Sequence, residues 1–149
     1  MSIPPQVYEK AHILLVDDDD VDAAGIQRAL NTHGIVNPVI RAHDGLDALA
    51  ILRDGSLQQP YLILLDINMP RMNGIEFLQE LRSDAQLNGS VVFILSTSAR
   101  ASDKHAAYQQ QAAGYIVKQR AGEGFHLLAR FLEHYWRVVE LPNQQHCIS

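Results

Sequence analysis

A single cysteine, Cys147, excludes an internal disulfide, and a reducing compartment is expected. No apolar run approaches the roughly 20 residues that a membrane-spanning helix needs. Residues Met1 to Lys10 lack the charged-then-apolar pattern of a secretory signal. There is no basic run either: 12 Lys and Arg stand against 17 Asp and Glu, for a net charge of −5. Phosphate neutralisation needs clustered cations, so non-specific nucleic-acid binding is disfavoured. Internal repeats, low-complexity stretches and domain linkers are also missing. What remains is 47% apolar and 19% charged, the balance of a folded chain and not a disordered one. A soluble cytoplasmic protein is expected. Its 149 residues suffice for one domain with one well-buried core.

The chain is organised around Leu62 to Gly74 (LILLDINMPRMNG). Four apolar residues run unbroken and stop at Asp66, which reads as a strand buried on both faces. Pro70 and Gly74 turn the chain. Ile75, Phe77, Leu78 and Leu81 then follow at helical spacing, predicting a helix from about Gly74 to Ser83. The same grammar recurs along the chain. His12 to Val16 ends in four aspartates, with Asp19 or Asp20 as N-cap and Asp22 in the first turn of a helix closed by Gly34. Val39 to Ala42 precedes a helix capped by Asp44 that stops by Gly55. Val91 to Leu95 ends in Ser96-Thr97-Ser98 before a weakly apolar helix over Ser102 to Gln111. Gly114 leads a fifth strand ending in Lys118, and a final helix runs from Gly122 or Gly124 to Val139. Strands alternating with helices predict a parallel sheet. The expected organisation is a loose lead over 1–10, one domain over 11–141 and a polar tail over 142–149.

Four of the five strand ends carry chemistry: Asp17 and Asp18, Asp66, Ser96, and Lys118. In a parallel sheet these ends share one edge, where ligands of open α/β sheets bind. Clustered carboxylates repel and raise one another's pKa. A hard divalent cation relieves this, and Mg²⁺ suits one or two carboxylates plus a phosphate, with the Asn68 carbonyl well placed as a further ligand. A carboxylate beside Mg²⁺, an ammonium and a hydroxyl can act as a nucleophile toward a phosphoryl group. The other three would then stabilise the charge on its oxygens.

The residues HILLVDD (His12 to Asp18), LILLDINMPRMNG (Leu62 to Gly74), ILSTSA (Ile94 to Ala99) and GYIVK (Gly114 to Lys118), in this order and spacing, resemble the receiver domain of two-component response regulators over roughly His12 to Val139. The resemblance implies a flavodoxin-like (βα)5 three-layer sandwich with a five-stranded parallel sheet of order 2-1-3-4-5. It implies Asp66 as phosphoacceptor from a sensor histidine kinase. It implies Asp18 as direct metal ligand, Asp17 beside it through water, and Asn68 through its carbonyl. Ser96 and Lys118 would partner the phosphoryl oxygens. Tyr115 matches the aromatic whose position reports phosphorylation, so Ser96 and Tyr115 form the expected switch. One departure is Gln119, where the family usually has proline after the lysine, often with a cis bond. Lys-Gln-Arg followed by the aromatic helix FLEHYWRVVELP is similar to regulators paired with bacterial phytochrome kinases.

The last helix carries two apolar stripes, Phe125, Leu128, Leu132, Tyr135 and Trp136 on one side, and Leu127, Phe131 and Val138 on the other. A surface helix needs one. The surplus points to a protein contact, a homodimer or a kinase-docking surface. No output domain is expected after this helix, so signalling would run through contact with a downstream protein. Three other readings compete. A Mg²⁺-dependent phosphatase with an aspartate nucleophile needs a second carboxylate two residues on, where this chain has Asn68. An unphosphorylated interaction module leaves the full acidic set unexplained. A flavin- or nucleotide-binding protein would place Gly, Ser or Thr, not aspartates, after the first strand.

Overall fold

The structure, a computed structural model, describes residues 11–142. The expected lead over 1–10 and the tail from Asn143 lie outside the described residues. Five strands, β1 (His12–Val16), β2 (Val39–Ala42), β3 (Tyr61–Leu65), β4 (Val91–Ser96) and β5 (Gly114–Val117), pair in parallel in the order β2-β1-β3-β4-β5. Five helices alternate with them: α1 (Asp20–Thr32), α2 (Gly45–Arg53), α3 (Gly74–Ser83), α4 (Ala101–Gln109) and α5 (His126–Val138). This is the expected (βα)5 three-layer sandwich.

The strand alternation sorts the core into two halves. Ile13, Leu15, Leu62 and Leu64 face one way and meet Ile26 and Leu30 of α1 and Leu128 and Leu132 of α5. Leu14, Val16, Ile63 and Leu65 face the other way and meet Leu49 of α2 and Phe77, Leu78 and Leu81 of α3. With both faces covered, β3 is buried at every residue, which explains its unbroken apolar run.

The starts of α1, α2 and α3 follow their side-chain caps. Asp19 accepts from the amides of Val21 and Asp22, and Asp44 from that of Asp47. Asn73 and Glu76 form a capping box at α3. Boundaries differ from the sequence expectation most near the C-terminal elements. β5 ends at Val117, and Lys118 opens a 3₁₀ turn, Lys118–Arg120. Phe125 does not belong to the last helix: it closes the 3₁₀ turn Glu123–Phe125 in the left-handed region at φ 63°, and α5 begins at His126. Its ring packs against Gly25 of α1. Among the described residues the cis peptide bond is Gln59–Pro60, and Lys118–Gln119 is not cis.

The β3–α3 loop is held from two sides. The Gly74 amide donates to the Ile67 carbonyl at 2.8 Å, and a side chain on Gly74 would collide with the Asp66 carbonyl and lie 2.8 Å from the Ile67 Cα. On the far side, Arg71 donates from Nε to the buried Asp44 carboxylate, and the Gly45 amide donates to the Met72 carbonyl at 3.2 Å. Burial alone would push the Asp44 carboxyl up, but Arg71 and the Asp47 amide outweigh it and hold the group below its ordinary value.

Gly74→Ala is expected to destabilise the fold by about 2 kcal/mol or more, because backbone and not a flexible side chain must give way. Chemical denaturation checks this. A wild-type midpoint would mean that the helix approaches Asp66 less closely than described.

Candidate functional site

The carboxyl ends of β1, β3, β4 and β5 open onto one pocket. Its register is fixed by Val16 opposite Leu65 and by Ser96 opposite Val117, so the residues that follow β1 and β3 emerge side by side, as do those that follow β4 and β5. Carboxylate oxygens of Asp17, Asp18 and Asp66 lie within 4.8 Å of one another. Asp17 and Asp66 are buried, and Asp18 is exposed. Asp17 is tied down by its Oδ1, which accepts the Asp19 amide at 2.9 Å. Asp66 Oδ1 accepts the Ile67 amide at 2.7 Å and the Asn68 amide at 3.4 Å. Its other oxygen, Oδ2, faces the ammonium of Lys118 at 3.3 Å. Lys118 Nζ also donates to Asp17 at 2.9 Å and to Asp22 at 2.7 Å.

A model of the response regulator receiver domain matches residues 13–130. The chain belongs to this family. The response regulator Rcp1 of Synechocystis sp. is 34% identical over 146 residues, which span 95% of this chain and 96% of Rcp1. The crystal structure of the Mn²⁺-bound form of Rcp1 matches with a TM-score of 0.79 at 33% identity, over 89% of this receiver and 99% of that chain. The phosphorylated cyanobacterial phytochrome response regulator RcpA matches with a TM-score of 0.81 at 32% identity, over 91% of this chain and all of that one (100%).

Of the residues singled out from the sequence of this receiver, Asp17, Asp18, Asp66 and Lys118 converge on the pocket. Asn68 is exposed on the β3–α3 loop, with its amide on Asp66. Ser96 is buried at the end of β4, and its Oγ accepts the Ser98 amide at 3.2 Å. Tyr115 is half-buried and donates from its hydroxyl to the Ser98 carbonyl at 2.8 Å. Burial pushes its phenol up, against the hydrogen bond at Ser98. The hydroxyl and the ring of the expected switch therefore both engage Ser98.

Two residues were missed. Asp22 was assigned to the first turn of α1 alone, yet it makes the shortest contact to Lys118. Arg41 donates to the Asp17 carbonyl at 3.0 Å and pairs with Asp20 at 2.7 Å; no motif marked it.

The electrostatics are lopsided, since three carboxylates share one ammonium and Asp18 adds a fourth carboxylate beside two of them. For Lys118, burial opposes the charge, but the hydrogen bonds to Asp22 and Asp17 and the charge of Asp66 outweigh it, so the ammonium stays protonated well above its ordinary range. Asp17 goes the other way. Burial pushes its carboxyl up, and the Lys118 and Asp19 hydrogen bonds compensate only in part. The donor set is all oxygen and over-negative, which fits a hard divalent cation.

A carboxyl whose pKa rises on folding binds its proton more tightly in the folded state, so its ionisation opposes folding above that pKa. Asp17→Asn is therefore expected to melt at a higher temperature than wild type at neutral pH in a metal chelator. The gain should disappear below the ordinary carboxylate range. Thermal scans at pH 7 and pH 3 decide; a variant less stable at both would show that Asp17 is more than compensated by Lys118.

Proposed function

We propose that this receiver takes a phosphoryl group from a sensor histidine kinase onto Asp66 and signals by protein contact. The observation that carries the reading is the gathering of Asp17, Asp18, Asp66 and Lys118 at one sheet edge. An Asp66 oxygen forms the new O–P bond as the P–N bond of the phosphohistidine breaks, and the protonated imidazole leaves neutral. Asp17, Asp18, Asp66 and the Asn68 carbonyl would hold Mg²⁺, which when bound would neutralise charge on the phosphoryl oxygens. The Ser96 hydroxyl and the Lys118 ammonium donate to those oxygens. Drawing Ser96 toward the phosphoryl group makes room for the Tyr115 ring, the two-state element through which the modification is read.

The likeness to Rcp1 and to RcpA, a phytochrome response regulator by its own description, supports a bacteriophytochrome as the kinase, in the cytoplasm. Among the described residues no helix is long and apolar enough to cross a membrane. For the output we propose a homodimer through the C-terminal helix region, or contact of that face with a downstream protein. Leu127, Phe131 and Val138 of α5 are 45%, 41% and 83% exposed. A groove of about 570 Å³ beside them is lined by Phe93, Tyr108, Tyr115, Leu127, Phe131 and Tyr135. Phe93 stacks edge-on against Phe131 and Tyr135, at 5.4 and 5.2 Å between centroids.

Labelling by acetyl phosphate is expected in the wild type with Mg²⁺, and is lost on chelation or in Asp66→Asn. In the labelled protein Tyr115 resonances move, and in Ser96→Ala they stay. Equal incorporation in Asp66→Asn would sink the acceptor assignment.

Light scattering is expected to give a dimer mass that Phe131→Glu lowers to a monomer. A monomeric wild type, with and without a phosphoryl analogue, removes the dimer.

A further inference from the structure

Lys118 has three N–H donors, and three carboxylates take them up. Asp17 lies at 2.9 Å, Asp66 at 3.3 Å and Asp22 at 2.7 Å. The nearest is the one outside the carboxylate triple suited to a metal. Asp22 stands on the first turn of α1 with its side chain 27% exposed, whereas that of Lys118 is 7% exposed. An acid at this point is favourable for the helix dipole alone and needs no cation. Its neighbour Asp20 turns outward and pairs with Arg41 at the surface. Asp22 reaches inward, to the same ammonium that borders Asp66.

A phosphoryl group on Asp66 brings new oxygens that call on an ammonium whose donors are already committed. Charge-assisted hydrogen bonds are the strong ones, so one of the three contacts has to be exchanged and not merely supplemented, and the one to Asp22 is made to a carboxylate that neither takes the phosphoryl group nor belongs to the metal triple. We infer that Asp22 is a positioning residue that holds Lys118 on the α1 side of the pocket and competes with the phosphoryl oxygens for it, slowing phosphoryl capture at Asp66. The inference rests on Asp66 being the acceptor. Asp22 acts through Lys118, and the exchange involves hydrogen bonds only.

The test measures labelling rates with acetyl phosphate at saturating Mg²⁺ in the full chain. Asp22→Asn keeps the shape and removes the charge, and is expected to label about three- to tenfold faster than wild type, as expected for coupled neighbours. Asp22→Glu is expected to return the rate toward wild type. Asp20→Asn removes a charge from the same helix turn without touching Lys118, and is expected to leave the rate unchanged. Equal rates in wild type and Asp22→Asn overturn the inference, and so does a slower variant, in which Asp22 would align Lys118 and not compete for it. An equal gain in Asp20→Asn overturns it as well, because the effect would then be the field of α1. Thermal melting confirms that each variant is folded, and Asp22→Ser carries the measurement should Asp22→Asn fail. Absence of labelling in the wild type, or labelling that survives Asp66→Asn, brings down the acceptor reading and this inference with it. Normal Asp66 labelling with no response to Asp22 brings down this inference alone.

Discussion

A buried ammonium has to be shared out, and that necessity organises the molecule. Lys118 lies 101 residues along the chain from Asp17, 96 from Asp22 and 52 from Asp66, and bonds to all three. A charge in such a place is tolerated only when it is paired and hydrogen-bonded. The end of β5 is therefore tied to the ends of β1 and β3 and to the first turn of α1, all at one point. The sheet register delivers these groups to a common edge; the lysine then fixes their spacing. The 3₁₀ turn that begins at Lys118 lies where the chain stops serving the sheet and starts serving the pocket.

Much of this was legible from local rules. Unbroken apolar runs gave β1 and β3 because strands covered on both faces carry no polar alternation. The bounds of β2 and α3 matched, since a capping box marks the start of α3 as plainly in sequence as in space. Asp17, Asp18, Asp66 and Lys118 were readable because each one terminates a strand. Asp22 was not. A first-turn acid has a sufficient local explanation, and that explanation hid a contact made 96 residues away. Phe125 misled in a related way. Its apolar character suited the stripe of the last helix, but two glycines at positive φ, Gly122 and Gly124, bracket a turn that takes it out of the helical frame. Periodicity sees composition along an axis and is blind to where the axis begins.

The helix α5 shows the same division of labour. Leu128, Ala129 and Leu132 are spent on the core, while Leu127, Phe131 and Val138 stay exposed, Phe131 with one edge against Phe93. The helix thus presents apolar area on a second face, beyond what its own core uses.

The anchoring of the β3–α3 loop has a mechanical consequence. On the β2 side, Arg71 with Asp44 and Gly45 with Met72 join the loop rigidly to the next corner of the sheet, and Arg71 adopts a left-handed backbone to do so. On the β4 side, α4 has no side-chain cap and buries only Ala107. Restraint is thus distributed unevenly around Asp66, denser toward α2 and sparser toward α4. Elements with few buried apolar contacts open locally at the least cost, so the α4 flank is the part of this frame that yields first.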